Sequence, residues 1–187
     1  MMNPELIKQR FTSIGYSCRS QLPSEWTGSY ELPSEILKYY ESIGPDCEAV
    51  ETHAEPIGVP SLSRLADNQI GYRTHPKTTE RFSEWPDEWI VVADADADPF
   101  IYCEGKILFA NHGRGEWTPF QMFDSIYELI GSIAAIGVVT HEAVEMVDDA
   151  FNILPTHFNN LTTELNEVVG VMKTNLLLDS LGWKNAG

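Results

Sequence analysis

Carboxylates recur at alternate positions in Asp94-Ala95-Asp96-Ala97-Asp98, directly after the apolar run Trp89-Ile90-Val91-Val92-Ala93. An apolar strand followed by two such Asp residues has the form of a phosphotransferase nucleophile motif, in which the first Asp attacks phosphate and the second acts as acid and base. That chemistry needs a strand-helix-strand lead-in and a downstream set of one Lys and paired Asp. Here Asp98 stands where Thr or Val normally follows, no such lead-in precedes the motif, and Lys173 and Asp148-Asp149 fall on expected helices. The context therefore fails a phosphohydrolase built on Asp94 and Asp96. The same three Asp residues imitate positions 1, 3 and 5 of a calcium loop, but Pro99 would then occupy the sharp turn that needs Gly, and Gly105 the place of the bidentate Glu. An EF-hand is excluded.

A second cluster, His112-Gly113-Arg114-Gly115-Glu116, brings a His, an Arg and a carboxylate close together, as a general-acid site would. A carboxylate hydrolase using Asp98 and Glu116 is the enzyme such a cluster suggests. Neither a nucleophile nor a second placed carboxylate completes it, and two Gly more simply permit a tight turn. Trp85, Trp89 and Trp117 have the makings of a sugar-stacking platform, but aromatics beside apolar strands usually fill a core. His53, between Glu51 and Glu55, has no second ligand at helical or strand spacing and reads as a solvated loop residue. No catalytic residue, metal or cofactor is expected.

The elements that position these residues are legible from periodicity and punctuation. Trp89 to Ala93 reads as a strand buried on both faces, with Ile90 and Val92 toward one side and Val91 toward the other. Residues 99–103 and 106–110 read as two more strands, joined by the two-residue connection Glu104-Gly105 that marks a hairpin. Upstream, Asn3-Pro4 caps a first helix ended by Gly15, Pro33-Ser34 starts a second one stopped by Gly44-Pro45, and short extended pieces surround Ala49-Val50 and residues 57–59. Residues 61–69 suggest a short helix, and 71–84 an irregular, more basic stretch. Downstream, Asp124-Ser125 caps a helix expected to end near Gly137, and Thr140 caps another through Val144, Val147 and Phe151. Pro155 starts a longer helix with Phe158, Leu161, Leu165, Val168 and Met172 on one stripe, and a terminal piece follows from Leu176 to Trp183. The connections between residues 89 and 120 are too short for parallel crossovers. The expected fold is α+β: a central, mainly antiparallel sheet of short strands flanked by helices, with a helical C-terminal extension.

The ordered set of Trp85-Pro86 and Trp89, apolar strand, acidic turn, Asp98-Pro99-Phe100, hairpin, Ile107-Leu108-Phe109 and His112-Gly113 with Gly115 and Trp117 resembles the core of the SUKH superfamily. That superfamily includes the yeast cell-wall-synthesis regulator family and many bacterial immunity proteins. The likeness extends upstream through residues 32–44, which resemble the family's opening helix, and downstream into the helix after Phe123. It covers residues 30 to 136, leaving an acidic helical extension over 138–187 in what reads as a single domain of 187 residues. For a bacterial source the resemblance implies a non-enzymatic immunity protein that neutralises a toxin effector. For a fungal source it implies a regulatory scaffold.

Composition bears on the partner. Hydrophobic residues make up 43% and aromatics 11%, enough for a packed core. The 28 acidic and 12 basic residues leave a formal net charge of −16, which argues against nucleic acid as a direct ligand because phosphate contacts need Lys and Arg. Such a field attracts basic surfaces, so a protein partner is expected, and the resemblance implies a basic toxin domain as one such partner. The residues expected to meet it are Asp94, Asp96, Asp98 and Glu116, which sit at strand ends in the stretch that resembles the family's core. Cys18, Cys47 and Cys103 are odd in number and lack metal spacing, and no secretory or membrane-spanning pattern is visible. They read as reduced thiols, and a cytosolic location is expected.

Overall fold

A computed structural model describes residues 3–113 and 116–185. Helix α1 (Pro4–Ser13) begins where the Asn3 side chain accepts the Glu5 N–H at 3.0 Å and Pro4 takes the first helical position, and it buries Ile7 and Phe11. A small antiparallel pair joins β1 (Ser17–Cys18) to β2 (Pro45–Asp46), on either side of α2 (Ser34–Ser42), whose Ile36, Tyr39 and Tyr40 are buried. The main sheet then runs β3 (Ala49–Val50), β4 (Ile57–Gly58), β5 (Ile90–Ala95), β6 (Asp98–Cys103), β7 (Lys106–Phe109) and β8 (Phe120–Phe123), each strand antiparallel to the next in sequence. This is the expected α+β architecture. Helices α3 (Ile126–Glu142) and α4 (Pro155–Ser180) complete it, α3 capped by Ser125, which accepts the Glu128 N–H at 3.3 Å.

The sheet is buried on both faces, by different means. Ile90, Val92, Phe100, Tyr102, Ile107 and Phe109 belong to the main core with the helices, whereas Val91 and Ile101 join Trp85, Tyr72 and Trp117 in a smaller aromatic cluster on the other side. The irregular stretch before β5 thus roofs the second face. Its anchor is Gln69. Within β5 the short strand β4 reaches only Asp94 and Ala95, so the outward peptide groups of Val91 have no strand to meet. The Gln69 amide supplies the missing partner, its Nε2 donating to Val91 O at 2.8 Å and its Oε1 accepting the Val91 N–H at 2.9 Å. Drawing Gln69 inward leaves only a 3-10 turn at Asp67–Gln69, and the helix expected over 61–69 does not form.

The expected five-residue acidic turn is instead the tip of a second hairpin. β5 continues through Asp94 to Ala95, β6 starts at Asp98, and only Asp96 and Ala97 connect them, with φ of 49° and 66° as a type I′ turn requires. The Glu104-Gly105 hairpin is present as expected, with both residues at positive φ. A register shift between Val91 and Ala93 marks a bulge, and it places Asp94 on the same side as Val91.

The C-terminal helices also depart from expectation. α3 does not stop near Gly137 but runs to Glu142, because that glycine is needed for close approach: a Cβ there would lie 2.6 Å from the Ile14 side chain and 2.8 Å from that of Val50. Residues 143–151, expected to be helical, lie in a loop in which Asp148 Oδ1 accepts the N–H groups of Ala150 and Asn152, both at 2.9 Å. Such local bonds compete with a helix. Val144 and Phe151 are consequently exposed. The first part of the terminal piece, Leu176–Ser180, belongs to α4, which breaks at Gly170 (φ 78°, ψ 163°). Beyond the break Thr174, Leu177 and Leu178 take the buried face, and Met172, expected on the apolar stripe, is exposed. His53 is no solvated loop residue either, since its ring packs 4.4 Å from that of Trp183 and burial lowers its pKa. No helix among the described residues is long and apolar enough to cross a membrane.

Candidate functional site

The bulge in β5 turns Asp94 toward the aromatic face, opposite Gly58 of β4. The carboxylate lies across the glycine: a Cβ on Gly58 would fall 2.2 Å from Asp94 Oδ1. A side chain opposite would therefore displace it, which gives this strand glycine its purpose. Burial pushes the Asp94 carboxyl above the ordinary Asp range, and no donor pairs with it among the described residues. Two clefts meet here, one of about 400 Å³ and one of about 390 Å³, sharing Asp67, Asn68 and Asp94 in their walls. The first adds the carboxylates of Asp46 and Glu48 and a single cation, Arg64, whose Nε lies 3.5 Å from Asp67. The second adds Tyr72, Ala97, His112 and Trp117. Asn68 Nδ2 is buried with no acceptor among the described residues. The Tyr72 hydroxyl is pushed up by burial and, secondarily, by the charges of Asp94 and Asp98.

Asp98 has a different occupation. Its Oδ1 accepts the His112 N–H at 2.6 Å and lies 2.7 Å from His112 Nδ1, while its Oδ2 accepts from Asn111 Nδ2 at 3.1 Å. These contacts fix the chain as it leaves β7. Asp96 is exposed at the hairpin tip, and Glu116 is exposed with no hydrogen bond or ion pair among the described residues. Arg114 and Gly115 lie outside the described residues. Of the four residues expected from sequence, then, Asp94 lines both clefts, Asp98 positions His112 at the rim of one, and Asp96 and Glu116 face solvent nearby in the chain. Sequence reasoning missed Gly58, Asn68 and Tyr72. A glycine inside a strand-like run was a readable signal of close approach, whereas Asn68 and Tyr72 come from the irregular roof, which carries no periodic pattern.

The chemistry available is recognition of positive charge. The first cleft sets one cation, Arg64, against the carboxylates of Asp46, Glu48, Asp67 and Asp94. Cys47 lines the first cleft, but burial pushes its thiol up to about 11, so it is protonated and a weak nucleophile at neutral pH. Among the described residues no three His, Cys, Asp or Glu side chains converge as a metal ion would require. Tyr72 and Trp117, with ring centroids 5.9 Å apart, and Trp85, 5.5 Å from Trp117, form an aromatic wall behind Asp94. No protein-family model, curated protein or solved structure matches the chain.

Proposed function

We propose that this chain is a non-enzymatic protein-binding domain of the SUKH type, an immunity protein that neutralises a basic toxin domain. The observation that carries the reading is the composition of the two joined clefts, in which the carboxylates of Asp46, Glu48, Asp67 and Asp94 face one arginine. A net charge of −16 extends that local excess over the whole surface. Nuclease-type toxins carry positive patches because they must hold phosphates, and a negative field accelerates encounter with such patches. The resemblance in residues 30 to 136 supports the same class of protein, with the cell-wall regulator type as its scaffold counterpart.

Co-expression tests the proposal. Production of the chain together with the toxin domain encoded beside its own gene should restore growth, and the purified pair should associate at a rate that falls steeply with added salt. Continued toxicity with no complex on gel filtration would refute it.

A further inference from the structure

A negative field steers a partner, but it does not say where a positive side chain would seat. Three features converge on one place. The Asp94 carboxylate is half-buried and has no partner among the described residues, although a desolvated charge is costly unless compensated. Gly58 clears the space that the carboxylate occupies. Tyr72 and Trp117 line the same cleft.

We propose that the groove centred on Asp94 is a socket for one arginine side chain of a protein partner, with the guanidinium on the Asp94 carboxylate and its flat face toward Tyr72 and Trp117. The charge of the group selects the class of occupant, since a neutral donor would leave the carboxylate uncompensated. Its partial burial selects arginine over lysine. A guanidinium is planar and weakly hydrated, so it is brought to a desolvated carboxylate at less cost than an ammonium, and it stacks on aromatic rings. A cleft of about 390 Å³ accommodates one such side chain with its flanking backbone. The inference rests on the reading of the chain as a binder of basic proteins, and it adds the residue through which the partner is held.

The probe is the tripeptide acetyl-Gly-Arg-Gly-amide, added to the full ¹⁵N-labelled chain while the Asn68 side-chain amide and Trp117 indole signals are followed. Saturable shifts of both are expected, with the lysine analogue about tenfold weaker and the neutral citrulline analogue silent. Asp94→Asn removes the charge. Gly58→Ala keeps the charge but pushes the carboxylate aside, and each variant should weaken binding by about tenfold or more. Glu167→Gln, which removes an exposed charge from α4, should leave it unchanged. Signals that stay put, citrulline shifts equal to arginine shifts, or undiminished binding to Asp94→Asn would each overturn the socket. The amide map of each variant verifies that it folds. The two proposals fail separately: a chain that binds the arginine peptide at Asp94 but does not neutralise the toxin keeps the socket and loses the immunity role. Toxin neutralised equally by Asp94→Asn and Gly58→Ala, with no peptide shifts, keeps the immunity role and loses the socket.

Discussion

Asp94 and Asp98 carry the same carboxylate four residues apart, and their surroundings give them opposite effects on stability. Asp98 accepts from the His112 backbone and the Asn111 side chain, so it ties the end of β7 to the start of β6. Hydrogen bonds to a charged acceptor contribute more than neutral ones, and Asp98→Ala is expected to cost about 2 kcal/mol in denaturant melts. Asp94 is raised by burial and compensated by nothing among the described residues. With its folded pKa above the unfolded value of about 3.9, the folded state holds the proton more tightly, so ionisation at neutral pH destabilises the fold. Asp94→Asn should therefore raise the melting temperature at pH 7, and the gain should vanish as pH falls through the folded pKa toward the unfolded one. A lower melting temperature at pH 7 would show that the carboxylate is compensated after all. A residue that weakens the fold while lining a cleft is the pattern expected of a functional position.

At the scale of elements, the parts legible in the sequence are those that carry their own punctuation. Asn3-Pro4, Ser125 and Pro155 start helices where their chemistry says, and Glu104-Gly105 makes its hairpin. The hairpin at Asp96-Ala97 was unreadable because it lacks the glycine that such a turn favours and places an alanine at φ 66° instead. Helix ends went wrong where glycine has two uses: Gly137 permits close packing and continues the helix, whereas Gly170 breaks one. Half of the site was visible as an acidic stretch, and the other half depends on a roof segment held in place by long-range bonds of the Gln69 side chain. Gln69→Leu tests that dependence. It leaves the Val91 N–H and C=O buried without partners on that edge, and a loss of about 3 kcal/mol is expected from two such groups. Because Gln69 anchors the segment bearing Asn68 and Tyr72, amide exchange in residues 66–74 should accelerate more than in β6. Equal acceleration in both would mean that the roof and the sheet open as one unit.

At the scale of the molecule, net charge works against compactness. The ion pairs that offset it, such as Arg10 with Glu164 at 2.6 Å and Lys173 with Asp124 and Glu128 at 2.6 Å each, lie at or near the surface and stabilise only modestly. Raising the salt from about 10 mM to about 200 mM shortens the screening length from about 30 Å to less than 10 Å, and relief of self-repulsion should exceed the weakening of these pairs. The melting temperature is expected to rise over that range, and a fall would place the ion pairs ahead of the repulsion. The order of the main sheet has a consequence of another kind, for the timing of synthesis. Every strand from β3 to β8 bonds to its neighbour in the chain, so each strand joins one already made. It is complete at Phe123, before any of α3 has been made, and until then much of its helix-facing apolar side is bare. Only Asp124 and Ser125 separate β8 from that helix. At about 5 to 20 residues per second, the roughly 20 residues needed to cover the sheet take about 1 to 4 s, so the nascent chain's interval of greatest stickiness is short. Helix α1, translated first, must wait through all of it before α3 gives it a surface to dock on.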